Sequence, residues 1–327
     1  MNNALIHPNG NPVSSFIDTD AVPAVIARAG DEASYRFLEY FTANIRNPNT
    51  RKAYYRAVRR FLDWCDLYDM ELAQLNPIIV AAYIEQLATE MSNASIKQHL
   101  AAIRTLFDFL VTRQIVTMNP AASVRGPKIV MRKGKTPVLS AEETGHLLHS
   151  IPTDSLTGLR DRALIGVLAY SIARVSAVIS MNGEDYFPQG KRYWFRLHEK
   201  GGKYHEIPVH HQAEVYVDAY RETAGITDEK KMPLFRSMTP NGALSENRLR
   251  RTKVWEMIKR RSRQAGLPES TTCHTFRATG ITTYLENGGS IEKAQRMAGH
   301  ADAKTTGLYD RTGDRVSLSE IERIRYP

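Results

Sequence analysis

Between residues 32 and 112 the apolar side chains recur at helical spacing, and a helical bundle is the arrangement that buries them. The longest series is Ile96, Leu100, Ile103, Phe107 and Leu110, at steps of four, three, four and three. Such steps set all five on one face of a 3.6-residue helix. Tyr54, Val58, Phe61, Leu62 and Cys65 step by four, three, one and three, and Tyr35, Leu38, Phe41 and Ile45 by three, three and four. These stripes predict four helices. The first covers residues 32–45. The second opens after Asn47-Pro48-Asn49-Thr50, with Asn49 or Thr50 capping its free amides. The third covers 77–89, with Pro77 in the first turn, where its missing N–H costs nothing. The fourth runs from 92 or 93 to 112. Four amphipathic helices with short connections read as one compact domain over residues 31–118. Residues 1–30 ahead of it read as a polar, flexible arm, with a short helix near 21–29 that Pro23 interrupts early.

Composition excludes several classes. The chain has 327 residues, 42% hydrophobic and 24% charged, enough for two domains with real cores. No apolar run approaches the ~20 residues of a membrane helix. The N-terminus lacks a basic segment followed by an apolar one, so secretion is not expected. Cys65 and Cys273 are the only cysteines. Two in so long a chain give no disulfide framework, no CxxC pair points to zinc, and a reducing cytoplasm is the expected setting. The formal net charge of +9 favours a polyanionic partner, nucleic acid before membrane.

Where the charge sits is more telling. Lys52, Arg56, Arg59 and Arg60 lie off the apolar stripe of the second helix, and Lys97 and Arg104, seven apart, share one side of the fourth. Both a solvated surface and a DNA-facing surface fit these positions. Residues 119–136 carry Arg125, Lys128, Arg132, Lys133 and Lys135 among prolines and glycines, with no acid. That stretch reads as a linker, and its uniform sign suits a segment crossing a phosphate backbone.

The second domain is expected over 137–327. Ser140 with Glu143 is a capping-box pattern and predicts a helix. Residues 159–171 form a strongly apolar helix, and 211–224 another. RYWFRLHEK and KYHEIPV, on either side of Gly201-Gly202, read as two strands joined by a tight turn. Residues 234–239 read as a loop or short strand, and 245–265 as a helix with more arginine and lysine than solubility requires. Helices resume over 272–311, and Leu318, Ile321 and Ile324 offer the stripe of a short tail helix. The expected fold is mainly α with a small β-sheet.

Several polar residues in this domain carry chemistry. His274 and Arg277, three apart on a helix, share a face and can converge on one small anion. An isolated His-x-x-Arg more often only faces solvent. Arg174 lies in the apolar segment ALIGVLAYSIARVSAVI, where a buried guanidinium needs an anionic partner, Glu184 or Asp185 in the structural reading. Lys200 precedes the Gly-Gly turn. His300 follows Ala-Gly, and Tyr309 follows Thr305-Thr306. Each of these three alone is an ordinary turn, helix-end or core residue.

In this order and spacing, Arg174, Lys200, His274-Thr-Phe-Arg277, Ala-Gly-His300 and Tyr309 resemble the tyrosine recombinase, or phage integrase, family. The resemblance runs from about residue 32 to the tail. It implies an N-terminal helical core-binding bundle followed by a mixed α/β catalytic domain. It implies that Arg174 and Arg277 hold the non-bridging oxygens of a scissile phosphate and that Tyr309 attacks phosphorus, forming a 3′-phosphotyrosyl bond and releasing a 5′-hydroxyl. His274 is then the general base and Lys200 the general acid, with Lys203 a fallback. His300 bonds the phosphate and positions Tyr309. The covalent bond conserves the phosphodiester's energy and the arginines supply the electrostatics, so no ATP, metal or other cofactor is implied. The implied assembly is a homotetramer on double-stranded DNA, clamped between the two domains, that exchanges strands through a Holliday junction in the cytoplasmic nucleoid. The tail helix docks on a neighbouring protomer or on its own domain. A DNA-relaxing enzyme of the type IB topoisomerase kind and a DNA-binding accessory protein with a weakened site are the alternatives; the small bundle and helical tail favour the recombinase. One position departs from the family pattern. Where an acid usually stands three residues after the first arginine, this chain has Ala177, so Arg174 must find its orienting partner elsewhere.

Overall fold

Asn47 and Asn76 each begin a helix in the same way. Each side-chain oxygen accepts from the two amides beyond a proline, Asn49 and Thr50 at 3.0 and 3.2 Å for Asn47, Ile78 and Ile79 at the same distances for Asn76. Proline at the first helical position has no amide to leave unsatisfied. The cap of the second bundle helix is therefore Asn47, ahead of the expected Asn49 or Thr50.

A computed structural model describes residues 22–129, 136–199, 204–300, 303–310, 321–324 and 326. Residues 1–21 of the arm expected over 1–30, Arg132, Lys133, Lys200, Lys203 and most of the expected tail helix lie outside them; the end of that arm is not flexible but a helix that packs Val25 and Ile26 into the first core. The chain divides into two compact units, Met1–Val130 and Met131–Pro327.

The first unit contains α1 (Ala24–Arg28), α2 (Asp31–Glu39), α3 (Pro48–Asp66), α4 (Pro77–Ala88) and α5 (Asn93–Thr112). α2 runs on into a π-helical turn, Tyr40–Asn44, which accounts for the single longer helix read over 32–45. The stripes of α3 and α5 face inward as expected, with Val58, Phe61, Leu62, Cys65, Ile96, Leu100, Ile103, Phe107 and Leu110 all buried; of the first stripe only Phe41 is buried and Tyr35 is exposed. Phe61 meets Tyr83 edge-on with ring centroids 5.0 Å apart, and burial pushes the Cys65 thiol up to about 12, so it is inert filling. Ala121 and Val124 are buried in this core, so the start of the stretch read as linker is packed against the bundle. Arg104 holds it there, donating from Nε to the Ala121 carbonyl (3.2 Å) and from Nη2 to that of Val124 (2.8 Å).

The second unit is built around α7 (Leu156–Ser171), which packs against α9 (His211–Ala224) and α11 (Cys273–Glu286). α6 (Ala141–Ser150) starts with the expected capping box, Ser140 and Glu143. α8 (Val175–Ser180) lies against an antiparallel sheet ordered β1 (Tyr186–Gln189), β2 (Arg192–His198), β3 (Tyr204–Pro208). Phe195 pairs with Ile207 and Leu197 with His205. The strand β1 was not expected, because Pro188 interrupts its short apolar run; at the sheet edge a missing amide is tolerated.

The stretch read as one helix over 245–265 divides. Thr239-Pro240-Asn241-Gly242, with Gly242 at φ +82°, turns the chain into a hairpin of β4 (Arg236–Met238) and β5 (Leu244–Arg248), and α10 covers only Arg251–Gln264. Its arginines have structural work. Asp161, fully buried on α7, accepts from Arg160 Nη2 (2.8 Å), Arg260 Nη2 (2.8 Å) and Arg261 Nε (3.0 Å), tying α7 to α10. Arg248 bonds the carbonyls of Ile179 (2.6 Å) and Met181 (2.9 Å), fixing the end of α8. The domain closes with α12 (Ile291–Ala298) and α13 (Ala303–Gly307).

Candidate active site

The site begins where α7 ends. Ile172 adopts a left-handed conformation, φ +59°, unusual for a β-branched residue and a local strain of about 1–3 kcal/mol. The sharp turn delivers Arg174 to the N-cap of α8 and exposes the Ile172 carbonyl to α11. Across from it, Gly280 lets α11 approach: a Cβ there would stand 2.9 Å from the Ala169 carbonyl oxygen.

α11 carries His274 in its first turn and Arg277 one turn on. Arg277 is 1% exposed. Its Nη1 donates to the Ile172 carbonyl at 2.7 Å, and its Nη2 to that of Ala298, at the end of α12. Arg174 Nη1 reaches the next carbonyl, Gly299, at 3.4 Å. The two guanidinium groups therefore meet at the C-terminus of α12, whose free carbonyls carry partial negative charge. Gly299, at φ +56°, turns the chain there and hands on His300.

Tyr309 lies in a small satellite core with Ile172, Ala278, Ile281 and Ala298. Its backbone carbonyl accepts from Thr282 Oγ1 at 3.1 Å. The phenol oxygen is 2.7 Å from His274 Nε2, and the His300 ring lies nearly parallel to the phenol ring, 12° apart with centroids at 6.1 Å. His300 Nδ1 is 2.8 Å from Thr306 Oγ1. A neutral His300 that accepts the Thr306 O–H at Nδ1 presents Nε2–H as a donor.

The charge states follow from burial and from the two arginines. Burial lowers His300 to about 4, helped by the positive charges of Arg277 and Arg174. Burial of its packed edge and the same two charges lower His274. Burial raises Tyr309, against the pull of Arg277 and Arg174. Burial and Arg174 lower Arg277 to about 10, still charged at neutral pH. The resting site is thus a neutral phenol against a neutral imidazole, within the field of two guanidinium groups.

Five of the six expected site residues, Arg174, His274, Arg277, His300 and Tyr309, come together here; Lys200 lies outside the described residues. Arg174 differs from expectation in two respects. Its side chain is 37% exposed rather than buried, because it caps α8 at the rim of the apolar segment. Its acidic partner is neither Glu184 nor Asp185 but Glu199, one residue past β2, with a side chain 8% exposed. Asp185 instead accepts from His198, at 3.1 Å, and from the Asn182 amide. Glu199 and Thr306 were not singled out in the sequence, although both adjoin or belong to the motifs quoted, Lys200 and Thr-Thr.

The expected DNA-facing residues fall into two groups. Lys52, Arg56, Lys97 and Lys128 are exposed. Arg59 is bonded to Asp63 at 2.7 Å, and Arg104 is engaged by the backbone as described. Among the described residues no cluster of three His, Cys, Asp or Glu is placed to hold a metal, and no helix is long and apolar enough to cross a membrane.

Comparison with known proteins places the chain in a family. The model of the phage integrase family matches residues 137–315, and that of the phage integrase N-terminal SAM-like domain matches residues 35–114. The chain is 28% identical over 270 residues to tyrosine recombinase XerD of Oceanobacillus iheyensis, covering 80% of this chain and 86% of that protein. It is 27% identical over 302 residues to tyrosine recombinase XerD of Chlorobaculum tepidum, covering 89% and 95%. Its fold matches the site-specific recombinase XerH bound to a palindromic difH substrate in a post-cleavage complex, with a TM-score of 0.68 at 16% identity over 95% of this chain and 94% of that one. With a family model spanning more than half its length and a site arranged around a single buried tyrosine, the chain belongs to the phage integrase family and is a tyrosine-type site-specific recombinase.

Proposed function

We propose that this recombinase cuts and rejoins double-stranded DNA through a covalent bond between Tyr309 and a 3′ phosphate. The observation that carries the reading is the 2.7 Å contact between the phenol oxygen and His274 Nε2, beside two arginines whose charge favours the phenolate. A phenol of pKa ~10 is a poor nucleophile at neutral pH, and burial makes it poorer. A neutral imidazole in hydrogen-bond contact can take its proton as attack proceeds. The Tyr309 oxygen forms a bond to phosphorus, the bond from phosphorus to O5′ breaks, and the phenol proton passes to His274. Lys200 donates a proton to O5′, giving the 5′-hydroxyl. Arg174, Arg277 and the Nε2–H of His300 face the non-bridging oxygens and stabilise the extra charge of the pentacoordinate transition state. Attack by a 5′-hydroxyl on the phosphotyrosine reverses each transfer and reseals the strand.

Two further elements belong to this reading. Lys52, Arg56, Lys97, Lys128, Arg132 and Lys133 meet the DNA backbone. Strand exchange requires two duplexes and hence four protomers working through a four-way junction, with the tail around Leu318, Ile321 and Ile324 as the contact between them; Ile321 and Ile324 are 52% and 61% exposed. The protein works wherever the cell's DNA is, in the nucleoid.

The test is a covalent adduct. A duplex selected from random DNA by binding, nicked beside each candidate cleavage point in turn, traps the intermediate because the released 5′ end diffuses away. Wild type accumulates a protein–DNA adduct and Tyr309→Phe accumulates none. An adduct in the Phe variant would move the nucleophile to another residue.

A further inference from the structure

The family pattern places an acid three residues after the first arginine, and this chain has Ala177 there, a buried methyl group that can orient nothing. We propose that Glu199 is the positioning residue for Arg174, doing from the end of β2 what an acid on α8 would do from one helical turn away. The inference rests on the proposed function of Arg174 as a phosphate-binding group.

Three observations carry it. Glu199 Oε2 forms an ion pair with Arg174 Nη1. The exposure is asymmetric: the Glu199 side chain is 8% exposed and that of Arg174 37%. Glu199 therefore stands behind the arginine, where it cannot meet a phosphate itself without paying the repulsion of two anions, and it acts through Arg174. It also lies against the loop that carries His300: a Cβ at Gly299 would be 3.5 Å from Glu199 Cδ, and the same Arg174 Nη1 that bonds Glu199 reaches the Gly299 carbonyl at 3.4 Å. One nitrogen of Arg174 is thus held between the end of β2 and the turn before His300. The other donors of its fork stay available for a substrate oxygen, since a guanidinium carries five N–H groups. A buried carboxylate of this kind is stable only while it is paired, so the pairing fixes the arginine's rotamer in the absence of DNA. Its second oxygen, Oε1, is buried with no partner among the described residues. In the sequence Glu199 directly precedes Lys200, so one short segment contributes both the proposed general acid and the residue that aims the first arginine.

The experiment is a double-mutant cycle on adduct formation with the selected, nicked duplex, using Arg174→Ala, Glu199→Ala and both together, with half-saturating DNA concentration measured alongside. Arg174→Ala is expected to slow adduct formation about 10²-fold or more. Glu199→Ala is expected to slow it at least tenfold at saturating DNA with the half-saturating concentration within about twofold of wild type. The double variant is expected to be no slower than Arg174→Ala, because a residue acting through Arg174 has nothing left to position. Glu199→Gln, which keeps the shape and one acceptor oxygen, carries the same comparison should the alanine variant not fold. A Glu199 variant that cleaves at the wild-type rate, or losses that multiply in the double variant, would overturn the inference while leaving the phosphate clamp intact. A wild-type rate in Arg174→Ala would instead overturn the clamp itself.

Discussion

Replacing Arg277 separates the structural task that its contacts show from the phosphate-binding task of the proposed reaction. Its Nη1 and Nη2 are donors to the carbonyls of Ile172 and Ala298, which end α7 and α12. Those carbonyls have no partner within their own helices. Three N–H donors remain for a phosphate. Truncation to alanine leaves both carbonyls buried and unpaired and opens a cavity at a position only 1% exposed. Hydrogen bonds to a charged donor are worth about 1.5–3 kcal/mol each, so Arg277→Ala is expected to lose about 3–5 kcal/mol of stability. Lysine keeps the charge and can reach one carbonyl, so Arg277→Lys is expected to lose about 1–3 kcal/mol. Cleavage responds differently: both variants lose the planar fork and are expected to slow adduct formation by about 10² or more. Urea denaturation of the full chain measures the first effect, and adduct formation on a nicked duplex at 25 °C the second. An alanine variant within about 1 kcal/mol of wild type would show that the two carbonyls do not depend on the guanidinium. A lysine variant cleaving within a few-fold of wild type would show that a point charge suffices and that fork geometry has no part.

Other expectations follow from the same contacts. His300 has its pKa lowered to about 4 by burial and the two arginines, so its stabilising effect is complete above the ordinary histidine value of about 6.5 and is lost as pH falls toward 4. That shift corresponds to about 3 kcal/mol, and His300→Gln should flatten the fall in urea midpoint between pH 7 and pH 4.5; an unchanged slope would assign the acid lability to another group. Gly280→Ala should destabilise the catalytic domain by about 1–3 kcal/mol, read as a lower thermal midpoint, because the new Cβ would press on the Ala169 carbonyl 2.9 Å away and part α7 from α11. Changing Lys52, Arg56, Lys97 and Lys128 together to glutamine should weaken binding to all DNA sequences and reduce the slope of log affinity against log salt by up to about 3.6; an unaltered slope would return these residues to ordinary surface. Arg104→Ala should lower stability, since its guanidinium holds the carbonyls of Ala121 and Val124.

The bundle was readable because its information is local. Each stripe needed only a 3.6-residue period and a capping side chain, and α5 occupies the range its stripe and Ser92 predicted. The misreadings came where a distant contact or a turn decides. Residues 245–265 read as one helix with more arginine and lysine than solubility requires, yet Arg260 and Arg261 answer a carboxylate on α7, about a hundred residues away in sequence, and the turn at Gly242 diverts residues 245–248 into a strand. Arg174 looked buried because its neighbours in sequence are apolar; in space it caps a helix end beside a sheet. No spacing rule connects it to Glu199, since the pairing exists only once β2 has been laid against α8. The residues that the fold brings together here were legible because they come as residue types in a fixed order. What positions them was not, because carbonyls such as those of Ile172 and Ala298 leave no mark in a sequence.

The field of the two arginines acts on the proton transfer in a way that depends on substrate. Removing the phenol proton makes an anion, which Arg174 and Arg277 favour; placing it on His274 makes a cation, which they oppose. In the resting protein the two effects cancel in part, and His274 stays a weak base. A phosphate bound between the guanidinium groups brings a negative charge that relieves the repulsion on the imidazolium. In the proposed reaction base strength therefore rises when DNA arrives, and Tyr309 keeps its proton in the absence of DNA. In Tyr309→Phe protein the His274 ring can be titrated by NMR with and without the selected duplex. Its pKa, below the ordinary histidine value in free protein, is expected to move upward on binding, and His274→Gln is expected to remove that titrating signal. A His274 titration that stays in place when DNA binds would mean that the phosphate does not sit between these arginines, and the coupling of base strength to substrate would fall with it.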